Sequence, residues 1–139
     1  MNGPPPGERD LGRLLAGLEP RLDPRAYRIV TVPPEAEPAW AARAFARVVE
    51  AEGVTLVAAE EDAGGGDPGA PRWALLTLGV PSALEAVGLM AAVAGRLAGL
   101  GIAVNPIAGF HHDHLLVPWP RGREALAALR ALAAEARGR

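Results

Sequence analysis

Trp73-Ala-Leu-Leu-Thr-Leu78 decides the fold, together with three stretches downstream of it: Val80-Pro-Ser-Ala-Leu-Glu-Ala-Val-Gly88, Gly101-Ile-Ala-Val-Asn105 and Gly109-Phe-His-His-Asp-His114. The first run is apolar on both faces, which marks a strand near the middle of a sheet. Residues leaving its end therefore point into whatever cleft the fold has. Ser82 and Glu85 have the Ser-x-x-Glu spacing of a capping box, in which each side chain satisfies a free amide. That predicts a helix from Ser82 with Leu84, Val87, Ala91, Ala94, Leu97 and Ala98 on its apolar face, closed by Gly101. Ile102–Ala108 and His112–Val117 read as strands joined across Gly109-Phe110, where glycine suits a type II′ turn. Pro106 lacks an N–H, which puts its strand at an edge or a bulge. A last helix is predicted over Arg121–Glu135, burying Ala125, Leu126, Leu129, Leu132 and Ala133.

Upstream of Trp73, Gly64-Gly-Gly-Asp-Pro-Gly69 reads as an exposed linker. Asp10 is placed to cap a short helix carrying Leu11, Leu14, Leu15 and Leu18, with Pro20 as its stop. Ala26–Val32 is a β-branched strand that Pro33 and Pro34 end. Residues 39–60 fit two readings. Trp40, Ala44, Phe45, Val48 and Val49 have helical spacing, yet a strand over Arg43–Val49, an acidic turn through Gly53 and a strand over Val54–Ala58 fits equally well. From Trp73 onward the order is strand, helix, strand, strand, helix. With strands of the first half completing the sheet, this is a two-layer α/β sandwich of the ferredoxin-like kind.

The 139 residues suit one domain or two small halves sharing a core. The chain has no cysteine, so disulfides and thiolate chemistry are excluded, in keeping with a cytoplasmic protein. No apolar run reaches the roughly 18 residues that span a bilayer, and the first residues lack the basic and apolar regions of a signal peptide. Arginine supplies all 14 basic side chains against 16 acids, for a formal charge of −2. No basic surplus or aromatic series points to nucleic acid.

These residues resemble a known family. Ser82–Gly88, Gly101–Asn105, Ala108–Pro118 and Glu50–Val57 look like the small stand-alone ACT-domain proteins of bacteria, over about residues 10 to 135. More distantly the chain is similar to the tandem ACT repeats of CASTOR-type arginine sensors, whose strand, strand, acidic turn, strand order favours the hairpin at 43–58. The resemblance implies an ACT-like half over 10–63 and an ACT domain over 70–137, with 1–9 and 64–69 flexible. It implies a non-catalytic module and a homodimer, with a small effector, by preference an amino acid, bound between ACT units. Carried onto this sequence, the site would comprise Val80, Pro81, Ser82, Ala83 and Leu84 with Ile102, Ala103, Val104 and Asn105. Pro81, Ala83 and Pro106 take polar groups away from that surface, which keeps open an association module without a ligand.

The chemistry of individual residues bears on this choice. Free amides at a helix start favour an anion, such as a ligand carboxylate, but Ser82 and Glu85 fill the same amides if they only cap. Asn105 offers donors and an acceptor to a ligand or to a bulge. Asp113, on the strand face of Leu115 and Val117, needs a partner such as a ligand ammonium or an arginine. In the run His111-His-Asp-His114, alternate residues face opposite ways, so at most two ligands converge where zinc usually takes three or four. No metal or cofactor is expected there. Ser82 is the only serine, and no base and acid are spaced to activate it, so nucleophilic catalysis is not expected.

Overall fold

The computed structural model describes residues 10–64, 67–80 and 86–138. The elements are helix α1 (Leu11–Ala16), strands β1 (Pro20–Val32), β2 (Ala46–Glu50), β3 (Gly53–Ala59) and β4 (Trp73–Leu78), helix α2 (Leu89–Gly99), strands β5 (Asn105–Ala108) and β6 (Asp113–Pro118), and helix α3 (Gly122–Arg137). Short 3-10 turns cover Pro34–Ala36, Ala39–Arg43 and Trp119–Arg121. The strands form one antiparallel sheet in the order β2-β3-β1-β4-β6-β5. Each half lays its strands outward in the order first, third, second, so the halves are related by an approximate twofold between β1 and β4.

Several expectations hold. Asp10 caps α1 by accepting from the Arg13 amide at 2.9 Å, while Leu14, Leu15 and Leu18 are buried. The β2–β3 hairpin forms and excludes the helical reading of 46–50. Arg43 to Phe45, however, precede the strand, Arg43 within a 3-10 turn. β4 has the predicted bounds and lies between β1 and β6. β5, with Pro106, is a sheet edge.

Three expectations are corrected. β1 begins at Pro20, not Ala26. Its early part pairs Pro20–Leu22 with Leu76–Leu78, and a bulge between Leu22 and Ala26 breaks the alternation that would have revealed it. Second, a helix does not run unbroken from Ser82 to Gly99. Pro81 to Glu85 lie outside the described residues, but Ala86 to Gly88 are non-helical and Gly88 has φ 97°, a left-handed conformation an α-helix does not pass through. α2 buries Leu89, Val93 and Leu97, whereas Val87 is exposed and Ala91 faces out. The longer branched side chains, at i, i+4 and i+8, win the core over the alanines. Third, β5 covers only Asn105–Ala108, and the β5–β6 turn is centred on Phe110 and His111, with the Gly109 amide donating to the His112 carbonyl at 2.9 Å. Gly109 does not have the positive φ a type II′ turn demands.

All three helices share one face. The main core joins Leu14, Leu15 and Leu18 of α1, Leu89, Val93 and Leu97 of α2, and Ala125, Leu129, Leu132 and Ala133 of α3 to Leu76, Leu78, Leu115 and Val117 of the sheet. Leu126 is only partly buried. α2 closes at its carboxyl end with the Ile102 amide donating to Leu97 and the Gly101 amide to Ala98, and Ile102 folds into the core. The opposite sheet face carries a smaller cluster of Tyr27, Val57, Ala59, Leu75 and Leu116.

The segment joining the halves is tied down by charge. Arg28, 4% exposed, lies 3.0 Å from Glu60 and donates to the Ala70 carbonyl at 2.6 Å, while Arg72 donates to Glu60 at 2.9 Å. Replacing Arg28 by Met keeps the stem but removes the donor of the half-buried Ala70 carbonyl and one of the two guanidiniums on Glu60, so chemical denaturation should show a loss of about 1–3 kcal/mol. The exit of β4 is as constrained: the Gly79 amide donates to Glu19 at 3.0 Å, and a Cβ at Gly79 would lie 2.3 Å from that same carbonyl oxygen. Gly79→Ala should cost about 1–3 kcal/mol by the same measurement, because backbone has to move.

Candidate functional site

The described residues among those singled out from the sequence do not form one cluster. Val80 is buried among the helix-side core residues, with its Cγ2 against Gly17 at the end of α1. Ile102 is buried as well. Both are packing positions. Pro81, Ser82, Ala83 and Leu84 lie outside the described residues. Ala103 and Asn105 are exposed and Val104 is half-buried at the start of the edge strand.

Asn105 and Asp113 share a hairpin but not a site. Asn105 stands opposite Leu116 and Asp113 opposite Ala108, three ladder positions apart. An odd offset puts them on opposite faces, roughly 10 Å apart along the strand. Asn105 belongs with Leu116 on the face without helices, and Asp113 with Leu115 and Val117 on the helix side. Asp113 is half-buried and has no ion pair among the described residues.

Near Asn105 stands a better-organised group. His114 faces the same way, with Nδ1 2.9 Å from the Thr77 hydroxyl and its ring edge-on to Phe45 at 4.9 Å. Burial pushes the His114 imidazole below its ordinary value, the neighbouring His112 adds to this, and Asp113 opposes it. Among the described residues no three metal-ligating side chains gather.

A second constellation sits at the β1 bulge. The Tyr27 hydroxyl donates to Asp23 at 2.7 Å and accepts from Arg25 at 2.9 Å. Burial works against the Asp23 carboxylate, yet hydrogen bonds from Arg25 and Tyr27 hold its value below the usual one. Burial, then Asp23, pushes Tyr27 up to about 12. This network fixes the bulge.

Beside it, between Pro20–Pro24 of β1 and α3, runs a groove of about 880 Å³ lined by Arg21, Arg123 and Arg130, continuous with a second hollow of about 460 Å³ beside Trp119. Sequence reasoning missed it. The available signal was Arg123 and Arg130 at i, i+7 on one helix face.

Two ACT-domain models match the sequence, one over residues 6–65 and one over 69–131. A Vibrio cholerae protein of unknown function, described as a possible transport protein, is 38% identical over 88% of this chain and 95% of its own, with a TM-score of 0.76. The chain is a tandem ACT-domain protein. An Agrobacterium tumefaciens protein (20% identity, 84% of this chain and 89% of that one, TM-score 0.68) and the regulatory subunit of aspartate kinase from Thermus flavus (13%, 81% and 95%, 0.56) share its fold. No curated protein matches. ACT domains are typically regulatory modules that bind small molecules, commonly amino acids, and stand-alone ones are typical of non-catalytic regulation. No described helix of this ACT protein is long and apolar enough to cross a membrane.

The depressed His114 value has a readable consequence. The folded state holds a proton there less readily than the unfolded chain, so stability is full above the ordinary value of 6.5 and falls as pH drops below it. The carboxylates held low, Asp23 and Glu60 among them, keep their contribution until pH falls below their ordinary 3.8 and 4.5. Denaturation midpoints should decline as pH falls below about 6.5. His114→Gln should flatten that decline.

Proposed function

We propose that this ACT protein is a non-catalytic regulatory module that binds a small effector, by class an amino acid, where ACT units of two copies meet. The observation that carries the reading is the edge strand β5. Among the described residues the outer backbone groups of β5 have no neighbouring strand, and Ala103 and Asn105 are exposed there. A second copy pairing along β5 would enclose that corner. The Asn105 amide, on the sheet face that also carries Thr77 and His114, would then face a ligand's carboxylate or ammonium group.

A specific observation favours a second reading, a dimerisation module whose pocket is lost. Val80 and Ile102 are committed to the core, and the polar pair Asn105 and Asp113 faces opposite ways.

Light scattering should give twice the 14.4 kDa chain mass. A thermal-shift screen of the amino acids should find one that stabilises the dimer by about 2.7 kcal/mol at 100 times its dissociation constant. Asn105→Ala should abolish that response while leaving the dimer intact. A dimer indifferent to every amino acid at millimolar concentration would support the second reading, and a monomer indifferent to them would refute both.

A further inference from the structure

The groove between β1 and α3 has an electrostatic character that the rest of the surface lacks. Elsewhere among the described residues every guanidinium but that of Arg13 is matched: Arg25 meets Asp23, Arg28 and Arg72 meet Glu60, Arg47 meets Glu37, Arg96 meets Glu135 and Arg121 meets Glu124. Arg43 lies 3.8 Å from Asp62, and Arg137 donates to the Ala16 carbonyl. Four described arginines have no such partner, Arg13, Arg21, Arg123 and Arg130, and the last three line this one groove. In a chain of formal charge −2, gathering unmatched cations around a single hollow leaves a local positive potential.

The hollow is divided. At the α3 end the three arginines surround an apolar floor that includes Leu126. At the other, Trp119, its ring already carrying the Arg72 guanidinium 5.0 Å from the centroid, forms a wall with Pro120, and Arg123 is shared between the two parts. Asp23 also borders the Trp119 end, but its carboxylate is engaged by Arg25 and Tyr27. The planar guanidinium fork suits phosphate oxygens, and a flat ring suits the indole wall. We infer that this groove binds a nucleoside polyphosphate, its phosphates on Arg21, Arg123 and Arg130 and its base towards Trp119. The site is separate from the β5 corner and does not rest on the amino-acid reading.

The test is calorimetric titration of the full chain with ATP, adenosine and pyrophosphate. ATP should bind more tightly than either fragment, and more weakly as salt rises. Arg21→Gln, Arg123→Gln and Arg130→Gln, which keep much of the stem, should each weaken ATP by about tenfold, the order expected for one lost charge-assisted contact. Arg13→Gln and Asn105→Ala should leave ATP binding unchanged. Absence of ATP binding at millimolar concentration, or binding that survives the triple glutamine variant, overturns the inference. Pyrophosphate binding as tightly as ATP overturns the role of the Trp119 wall, and adenosine doing so overturns that of the arginines.

Discussion

Hydrogen bonding between β1 and β4 is the constraint on which the rest of the molecule depends. β1 is 13 residues long and serves two neighbours: Tyr27–Val32 pairs with β3, while Pro20–Leu22 and Ala26–Tyr27 pair with β4. Without that ladder the chain would be two three-stranded halves, each with an added edge and an uncovered apolar face. The bulge over Asp23–Arg25 lets one strand bend between the two tasks, and the Asp23, Arg25 and Tyr27 network holds the bend. The same bend opens the hollow that separates Pro20–Pro24 from α3.

The helices take advantage of the joined sheet. α1, α2 and α3 converge over β4 and β6 and the early part of β1, making one core from residues more than a hundred positions apart, such as Leu14 and Leu129. The first half has no long helix of its own between β1 and β2. Its crossover is two 3-10 turns, broken up by Pro33, Pro34 and Pro38. The two ACT units are therefore alike in strand order and unlike in how their faces are covered. The charged tie through Arg28, Glu60 and Arg72 sits where the chain passes from one unit to the other.

Much of this was legible in the sequence, and the failures have physical causes. β4 declared itself because burial on both faces demands an uninterrupted apolar run, and α1 because a capping aspartate precedes a leucine stripe. Pro106 located an edge because a missing N–H is visible in the residue name. The early part of β1 was hidden because its bulge interrupts the two-residue alternation and because Pro20 equally well ends a helix. α2 was drawn too long because Ser82 and Glu85 match a capping box, and nothing in composition reveals that Gly88 adopts a left-handed conformation. The sequence likeness to ACT proteins named the family correctly. Which of the residues it nominated share a surface depended on strand parity, which only the register of β5 against β6 discloses. The arginine groove was illegible for a different reason: Arg21 and Arg123 look like scattered charges until the sheet brings β1 under α3.

The sharing of β1 also decides how the protein can be divided. Residues 20–22 precede the glycine linker, so they belong by sequence to the first ACT unit, yet their β-ladder partners, 76–78, lie in the second. Cleavage in the linker would therefore not yield two self-sufficient domains. The carboxyl-terminal piece would expose β4 as an edge, and the amino-terminal piece would keep a strand whose early part has nowhere to pair. The architecture is indivisible although its pattern is repeated, and a gene encoding either unit alone would have to supply the missing strand from another copy.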